Sequence, residues 1–500
     1  MAPRRDFWYK VYLEEGTMAD HIGAERQLLI DDHLVENLAG LKRVLQRPDK
    51  LDAPVLEGDE PGGGWEVSII GNSLHYDEED GCFKAWYDST TGVAYATSQD
   101  GVHWDKPSLG IIERDGSTSN NLISPGRNFS VVKHAADKDP SKRYKAMYWA
   151  SRDDPDAPWG GKGHFVAFSA DGIHWTPDPR NPVIDFSQGL TDGQFVVGWD
   201  NDHGKYVAYM RPHPDFFDPP KRTSAWVASD DFVNWGTPVL AVRPEETGGL
   251  EIEYYRMTVA RYENIYVGFI WVYHNDLAFA DQSRDTILAT SRNGVTWSKP
   301  FGDETFLQTG PPGDWDSKFA AACNLIPVGD ELWLYYSGAN IPHNVKAEDG
   351  SKGSVKDWPG RMIDGERQAY AVGIAKLRRD GFVSVEPETH EGTLTTKPIT
   401  FLGTTLHLNV DSSRGSVAVE VLDRSGQPAE GYSRADCEPI SIDSTDFTVK
   451  WGDDRDLVHA TDTAADLGAS KLAVFRSRLR EPMRLKFYLK DAKIFSFRVT

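Results

Sequence analysis

Five times along this 500-residue chain a strand-like run closes on a related turn. The two clearest copies read Ser98-Gln99-Asp100-Gly101-Val102-His103-Trp104 and Ser169-Ala170-Asp171-Gly172-Ile173-His174-Trp175. Weaker copies follow as Ser229-Asp230-Asp231-Phe232-Val233-Asn234-Trp235 and Ser291-Arg292-Asn293-Gly294-Val295-Thr296-Trp297, with a degenerate fifth at Arg378-Arg379-Asp380-Gly381-Phe382. The first four serines are 71, 60 and 62 residues apart (98 to 169, 169 to 229, 229 to 291). A unit of this length, filled with short strands and turn residues, has the signature of a four-stranded propeller blade. The repeat therefore predicts an all-β chain built on a five-bladed β-propeller.

Each repeat follows one grammar: an inner apolar strand, a turn, a second strand ending in aromatic residues, a third strand, and the Ser/Asp/Gly/Trp turn. In the first repeat the strands are expected at Val67–Ile70, Phe83–Tyr87 and Val93–Thr97. The repeated Asp accepts amide hydrogens in its own turn and the repeated Trp packs between blades, so both are read as scaffold, as are His103 and His174 at equivalent positions. After Glu386 the grammar stops. Short alternating strands such as Leu406–Val410, Val417–Leu422 and Met483–Leu489 then predict a β-sandwich. The expected organisation is an N-terminal tail at 1–25, the propeller at 26–388 and the sandwich at 389–500.

The balance of 76 acidic against 54 basic side chains, a formal charge of −22, opposes binding to nucleic acid or to an anionic membrane surface. Sugars and other small molecules stay open as ligands. Cys82, Cys323 and Cys437 are widely spaced and form no C-x-x-C pattern, which points to a reducing, cytoplasmic compartment. No apolar run has the length of a signal-peptide core or a membrane span, and a homo-oligomer is compatible with the sequence.

The Ser-x-Asp-Gly-x-x-Trp turns, the five-blade spacing and the C-terminal strands together resemble the five-bladed propeller glycoside hydrolases. Over roughly residues 26 to 500 the resemblance is nearest the invertase and levanase group, family thirty-two, and a bacterial subgroup related to it, with the arabinanases and xylosidases as cousins. It implies a glycosidase with an Asp nucleophile or base, a second orienting Asp and a Glu acid at the starts of the innermost strands. Several family motifs are missing. There is no Trp-Met-Asn-Asp-Pro-Asn-Gly; Arg152-Asp153-Asp154-Pro155 carries an extra residue within an outer loop; Cys437-Glu438 reverses the Glu-Cys pair. β-Fructosidase activity is therefore not carried over.

Cleavage of a glycosidic bond needs one carboxyl to protonate the leaving oxygen and another to act as nucleophile or base. In a propeller the inner strands border the channel, so acids at their starts are the candidates. Four repeats supply one: Glu66, Asp192, Glu253 with Glu251 two residues before it, and Asp316. Position makes Asp192 the candidate base or nucleophile, Glu253 the candidate acid and Glu66 the third carboxylate. Trp65, Asp316, Arg211, His343 and Glu251 are the candidate substrate-binding residues, and the 340–368 loop is expected to close an exo-acting pocket. Arg256 follows the fourth-repeat acids. No metal-ligand spacing occurs among the fourteen histidines, and Gly62-Gly63-Gly64 precedes a strand rather than a helix, so neither metal nor cofactor is expected. Hydrolysis of a small oligosaccharide or glycoside, furanosides included, is the leading expectation. Phosphorolysis of the mannoside-phosphorylase type, with Arg211, Arg256 and His343 holding phosphate, and a non-catalytic carbohydrate-binding propeller are the alternatives.

Overall fold

The computed structural model describes residues 11–12, 18–58, 73–89, 92–114, 116–124, 128–152, 161–185, 189–213, 221–245, 252–274, 282–342, 344–346, 352–354, 362–363, 366–367, 370–457 and 482–500. These are strands and turns throughout, with a single 3-10 turn at Pro140–Lys142 and no α-helix among the described residues. The chain divides into two compact units. One comprises Pro48–Ile326 and Trp333–Lys376, the other Met1–Arg47, Pro327–Leu332 and Leu377–Thr500.

The larger unit contains five successive up-and-down meanders of four strands. The first holds Leu74–Asp77, Cys82–Ser89, Gly92–Ser98 and Leu122–Ser124. The second holds Ser130–Lys133, Tyr144–Arg152, Gly161–Ser169 and Thr176–Pro177. The third holds Leu190–Asp200, Lys205–Pro212, Ser224–Ser229 and Val239–Val242. The fourth holds Ile252–Tyr262, Ile265–His274, Ser283–Ser291 and Thr305–Leu307. The fifth takes Phe319–Val328, Glu331–Ala339 and Tyr370–Arg378 from its own stretch and borrows its last strand, Asp49–Lys50, from the start of the unit. The inner strand expected at 67–70 lies outside the described residues.

First strands of neighbouring meanders are stitched by side-chain hydroxyls. Ser73 Oγ donates to Phe129 O (2.7 Å), Ser130 Oγ accepts from Val196 N (3.0 Å), and Thr258 Oγ1 donates to Ala322 O (2.8 Å). Further out, the repeated turns act as sockets. In the first turn Ser98 Oγ accepts from Gly101 N, while Asp100 Oδ1 accepts from Val102 N and His103 N at 2.8–2.9 Å, as the local-cap reading of the repeat expects. The glycine of this turn lies at φ +76 to +78° in the first two copies, leaving its carbonyl pointing at the preceding meander.

That carbonyl is the socket. Trp86 Nε1 of the first meander donates to Gly172 O of the second (2.6 Å), and Tyr209 OH of the third to Gly294 O of the fourth. Tyr335 OH of the fifth donates to Gly101 O of the first (2.9 Å), so the last meander packs against the first. Phe83 stacks on Trp333 at the same junction, with ring centroids 6.5 Å apart. In the third copy Phe232 replaces the glycine and keeps φ at +68°, filling the junction with its ring against Phe168.

A Cβ at Gly172 would meet Trp86 Cζ2 at 2.7 Å, whereas one at Gly110, also left-handed at φ +72°, would meet nothing within 4 Å. Gly172→Ala is therefore expected to cost about 2–4 kcal/mol and Gly110→Ala about 1–2 kcal/mol, because only the first adds overpacking to backbone strain. Urea unfolding of the two variants measures the difference.

In the smaller unit, residues read as the tail and the start of the repeats form strands with the C-terminal segment, which moves the expected boundaries. Val35–Ala39 pairs with Glu391–Thr396 and Leu41–Leu45 with Val383–Pro387, on either side of Gly40 at φ +66°. Gln27–Leu28 joins Lys493–Val499, and Met18–His21 runs parallel to Ile399–Thr400. Two sheets result, one containing Leu406–Asp411 and Lys493–Val499, the other Ser416–Leu422 and Arg484–Lys490. Alternate residues of both enter one core: Leu406, Leu408 and Val410 with Val417, Val419, Val421, Phe487 and Trp451. The degenerate fifth turn also belongs here. Asp380 is fully buried and accepts from Arg26 Nη1 (3.2 Å), Asn409 Nδ2 (3.0 Å) and Ser496 Oγ (2.5 Å), so it is a strut of this unit rather than a fifth turn of the repeat kind.

Candidate functional site

The first strands of the third and fourth meanders are irregular near their leading ends. In the third, pairing passes from Leu190↔Pro212 to Gln194↔Met210, so Thr191, Asp192 and Gly193 stand against Arg211 alone. In the fourth, pairing passes from Tyr254↔Val272 to Arg256↔Trp271, which leaves Tyr255 as the extra residue of a bulge. Bulges bend a strand and re-aim its side chains, and they recur beside active sites. Gly193 is required for the fit, since a Cβ there would lie 2.9 Å from Arg211 Cβ.

The bulges bring four guanidinium groups around Tyr255. Arg284 lies between two rings, with Cζ 3.8 Å from the Tyr255 centroid and 4.0 Å from that of Phe319. Arg211 Cζ is 4.9 Å and Arg222 Cζ 5.5 Å from the Tyr255 centroid. Arg211 Nε donates to Thr191 Oγ1 (3.1 Å) and Nη1 to Tyr255 O (3.3 Å), which fixes it across the two bulged strands. Arg256, the neighbour of Tyr255 in sequence, places its Cζ 5.1 Å from the Trp271 ring, and its buried Nε and Nη1 have no hydrogen-bond partner among the described residues. Burial alone would raise the Tyr255 phenol, but Arg284, Arg211, Arg256 and Arg222 together outweigh it and bring it down to about 7.

Glu253 sits at the rim of this cluster. Its Oε2 accepts from Arg222 Nη1 at 2.6 Å, and both side chains keep part of their surface in solvent. Deeper in, His164 is completely buried with Nε2 2.7 Å from Thr191 O, which fits the neutral tautomer carrying its proton on Nε2. Burial, aided by Arg256, lowers this imidazole to about 4. The unfolded chain takes up a proton near pH 6.5, the folded one only near 4, so stability is lost as pH falls through that interval, by on the order of 3 kcal/mol. Urea midpoints at neutral and mildly acidic pH should show this slope in the wild type and lose it in His164→Gln.

Among the sequence candidates, Glu253, Arg211 and Arg256 come together, and the Asp192 backbone lies on the adjoining bulge. Glu66, Trp65, Glu251, His343 and the Asp192 side chain lie outside the described residues, as does most of the 340–368 loop. Asp316 has a different setting. It is buried, its Oδ2 accepts from Lys50 Nζ (2.6 Å) and Tyr336 OH (3.0 Å), and it thereby anchors the borrowed Asp49–Lys50 strand to the fifth meander. Tyr255, Arg222 and Arg284 were not legible as site residues, although Gly193 inside a strand pattern is a bulge signal. No group of three metal-ligating side chains occurs among the described residues.

No protein-family model matches the chain, and no curated protein matches it. Its fold is similar to solved structures at low identity. A thermostable family-43 glycoside hydrolase is 18% identical over 65% of this chain and 95% of its own, with a TM-score of 0.43. The exo-inulinase of Aspergillus awamori is 14% identical over 90% of this chain and 99% of its own, at 0.41. A family-32 β-fructofuranosidase of Bombyx mori is 11% identical over 91% and 94%, at 0.40.

Proposed function

We propose that the chain is a glycosidase whose five meanders are the blades of a β-propeller, accompanied by a β-sandwich, and that it cleaves the glycosidic bond of a small oligosaccharide or glycoside. The reaction takes place at the leading ends of the third and fourth first strands. Asp192 and Glu253 are the paired carboxylates and Glu66 is the third. The observation that carries this reading is the pair of adjoining bulges, which sets Glu253 and Tyr255 beside the strand of Asp192 where a phase derived from the repeats expected carboxylates. The Tyr335–Gly101 bond between the last and first meanders supports the propeller. In this reading Asp192 is the base or nucleophile and Glu253, whose Oε2 accepts from Arg222 Nη1, is the acid.

A second reading is favoured by Arg211 and Arg256 flanking the same tyrosine: phosphorolysis, with phosphate in place of water. Product analysis on a broad glycoside panel, with and without inorganic phosphate, separates the two. Free sugar without phosphate supports hydrolysis, sugar phosphate formed only with phosphate supports phosphorolysis, and no product from any glycoside contradicts both.

A further inference from the structure

A chain with a formal charge of −22 that gathers four guanidinium groups within one pocket of side chains has concentrated positive potential where its composition least favours it. Arg211, Arg256 and Arg284 are buried, and Arg222 marks the side that opens to solvent. Burying a guanidinium without hydrogen-bond partners costs several kcal/mol, and Arg256, whose Nε and Nη1 have none among the described residues, keeps donors that an incoming oxyanion would satisfy. Planar guanidinium forks match the oxygens of carboxylates and phosphates.

We propose that the guanidinium cage around Tyr255 is a binding site for an oxyanionic group, a carboxylate or a phosphate, borne by an acidic glycoside or supplied as free phosphate. The part of this that concerns a glycoside rests on the glycosidase reading; anion binding itself does not. Tyr255 shares the positive potential that the anion would enter. A bound anion therefore favours the neutral phenol, and the ionised phenol weakens the anion, by equal factors. Among the described residues the charged and titratable groups around Tyr255 are Arg211 and Arg222 from the third meander, Glu253, Tyr273 and Arg284 from the fourth, and Tyr370 of the fifth beside Phe319, which caps Arg284. Behind Arg256 lie His164, Cys323 and Asp88. Burial holds His164 at about 4 and Cys323 at about 11, so neither titrates in the neutral range.

The test is calorimetric binding of inorganic phosphate and, separately, galacturonate to the full chain at about pH 6 and about pH 8.5, with tyrosinate absorbance followed in parallel. Saturable binding of one anion, weakened at the higher pH roughly tenfold relative to Tyr255→Phe and accompanied by loss of tyrosinate signal, is expected. Tyr255→Phe should lose the part of the pH dependence that the phenol causes and keep only that of the ligand's own ionisation, which galacturonate lacks in this range, and Arg256→Met should bind at least roughly tenfold more weakly. A phosphate response alone assigns the site to free phosphate, and a galacturonate response assigns it to an acidic glycoside. Absence of binding to the folded wild type overturns the proposal, as does unaltered binding in folded Arg256→Met. If Arg256→Met does not fold, a pH dependence in Tyr255→Phe equal to that of the wild type overturns it instead. Anion binding without turnover of any glycoside would uphold the cage and contradict the glycosidase reading.

Discussion

Glu253→Gln is expected to lower kcat for glycoside cleavage by roughly 10²–10⁴-fold with little change in KM. Glutamine keeps the shape and one oxygen that can accept from Arg222 Nη1, now 2.6 Å from Glu253 Oε2, so the local geometry survives. What is lost is the charge and the ability to exchange a proton. Because both partners of this ion pair retain contact with solvent, the change in unfolding free energy should stay below about 1 kcal/mol. Steady-state kinetics alongside urea unfolding separates the two effects: a large fall in kcat at unchanged stability supports a chemical role, and equal kcat in the two proteins opposes it. Arg222→Gln, which removes the group that orients Glu253, should cost less in kcat than removal of the carboxylate itself.

Asp77→Ala is expected to produce the largest loss of stability, on the order of 3–5 kcal/mol. Asp77 ends the first strand of the first meander and is buried. Its Oδ2 accepts from Lys84 Nζ (2.8 Å) and Tyr144 OH (2.7 Å), and its Oδ1 from Lys133 Nζ (2.6 Å). Lys133 and Tyr144 belong to the second meander, so this carboxylate joins two sheets. Lys84 is buried as well, and the alanine variant leaves its ammonium without its deepest counter-charge. Burial pushes the Asp77 carboxyl up, but the hydrogen bonds from Lys133, Lys84 and Tyr144 prevail and hold it well below the usual carboxylate range. A depressed folded-state value means that the contribution is complete above about pH 4 and is lost as pH falls further. Asp77→Asn should therefore flatten the acid limb of stability below about pH 4, an interval distinct from the one in which His164 acts.

The repeats were legible because each turn is local: Ser, Asp and Gly meet their partners within a few residues, and the φ-positive glycine leaves a direct mark on the sequence. Residues 27–47 carried no such mark. Their strands pair with segments near 383–396 and 494–497, and nothing in a short run such as Leu41–Leu45 states a partner so distant in the chain. The fifth turn misled for a related reason. Asp380 and Gly381 keep the letters of the repeat, but Arg26, Asn409 and Ser496 occupy the aspartate from afar. At the site, the phase of the repeats found Glu253 and the strand of Asp192, because strand starts are periodic. Arg211 and Arg256 stand out by position as well, but Tyr255 was hidden, since it reads as an ordinary strand aromatic until the bulge turns it. Arg222 and Arg284 likewise acquire meaning only when two meanders are side by side.

The most direct measurement is release of sugar from a panel of neutral and acidic glycosides by wild type, Asp192→Asn and Glu253→Gln, each verified as folded by its unfolding midpoint. Turnover by the wild type with a fall of at least roughly 10²-fold in both variants is the predicted result. Full activity in both folded variants would contradict the account.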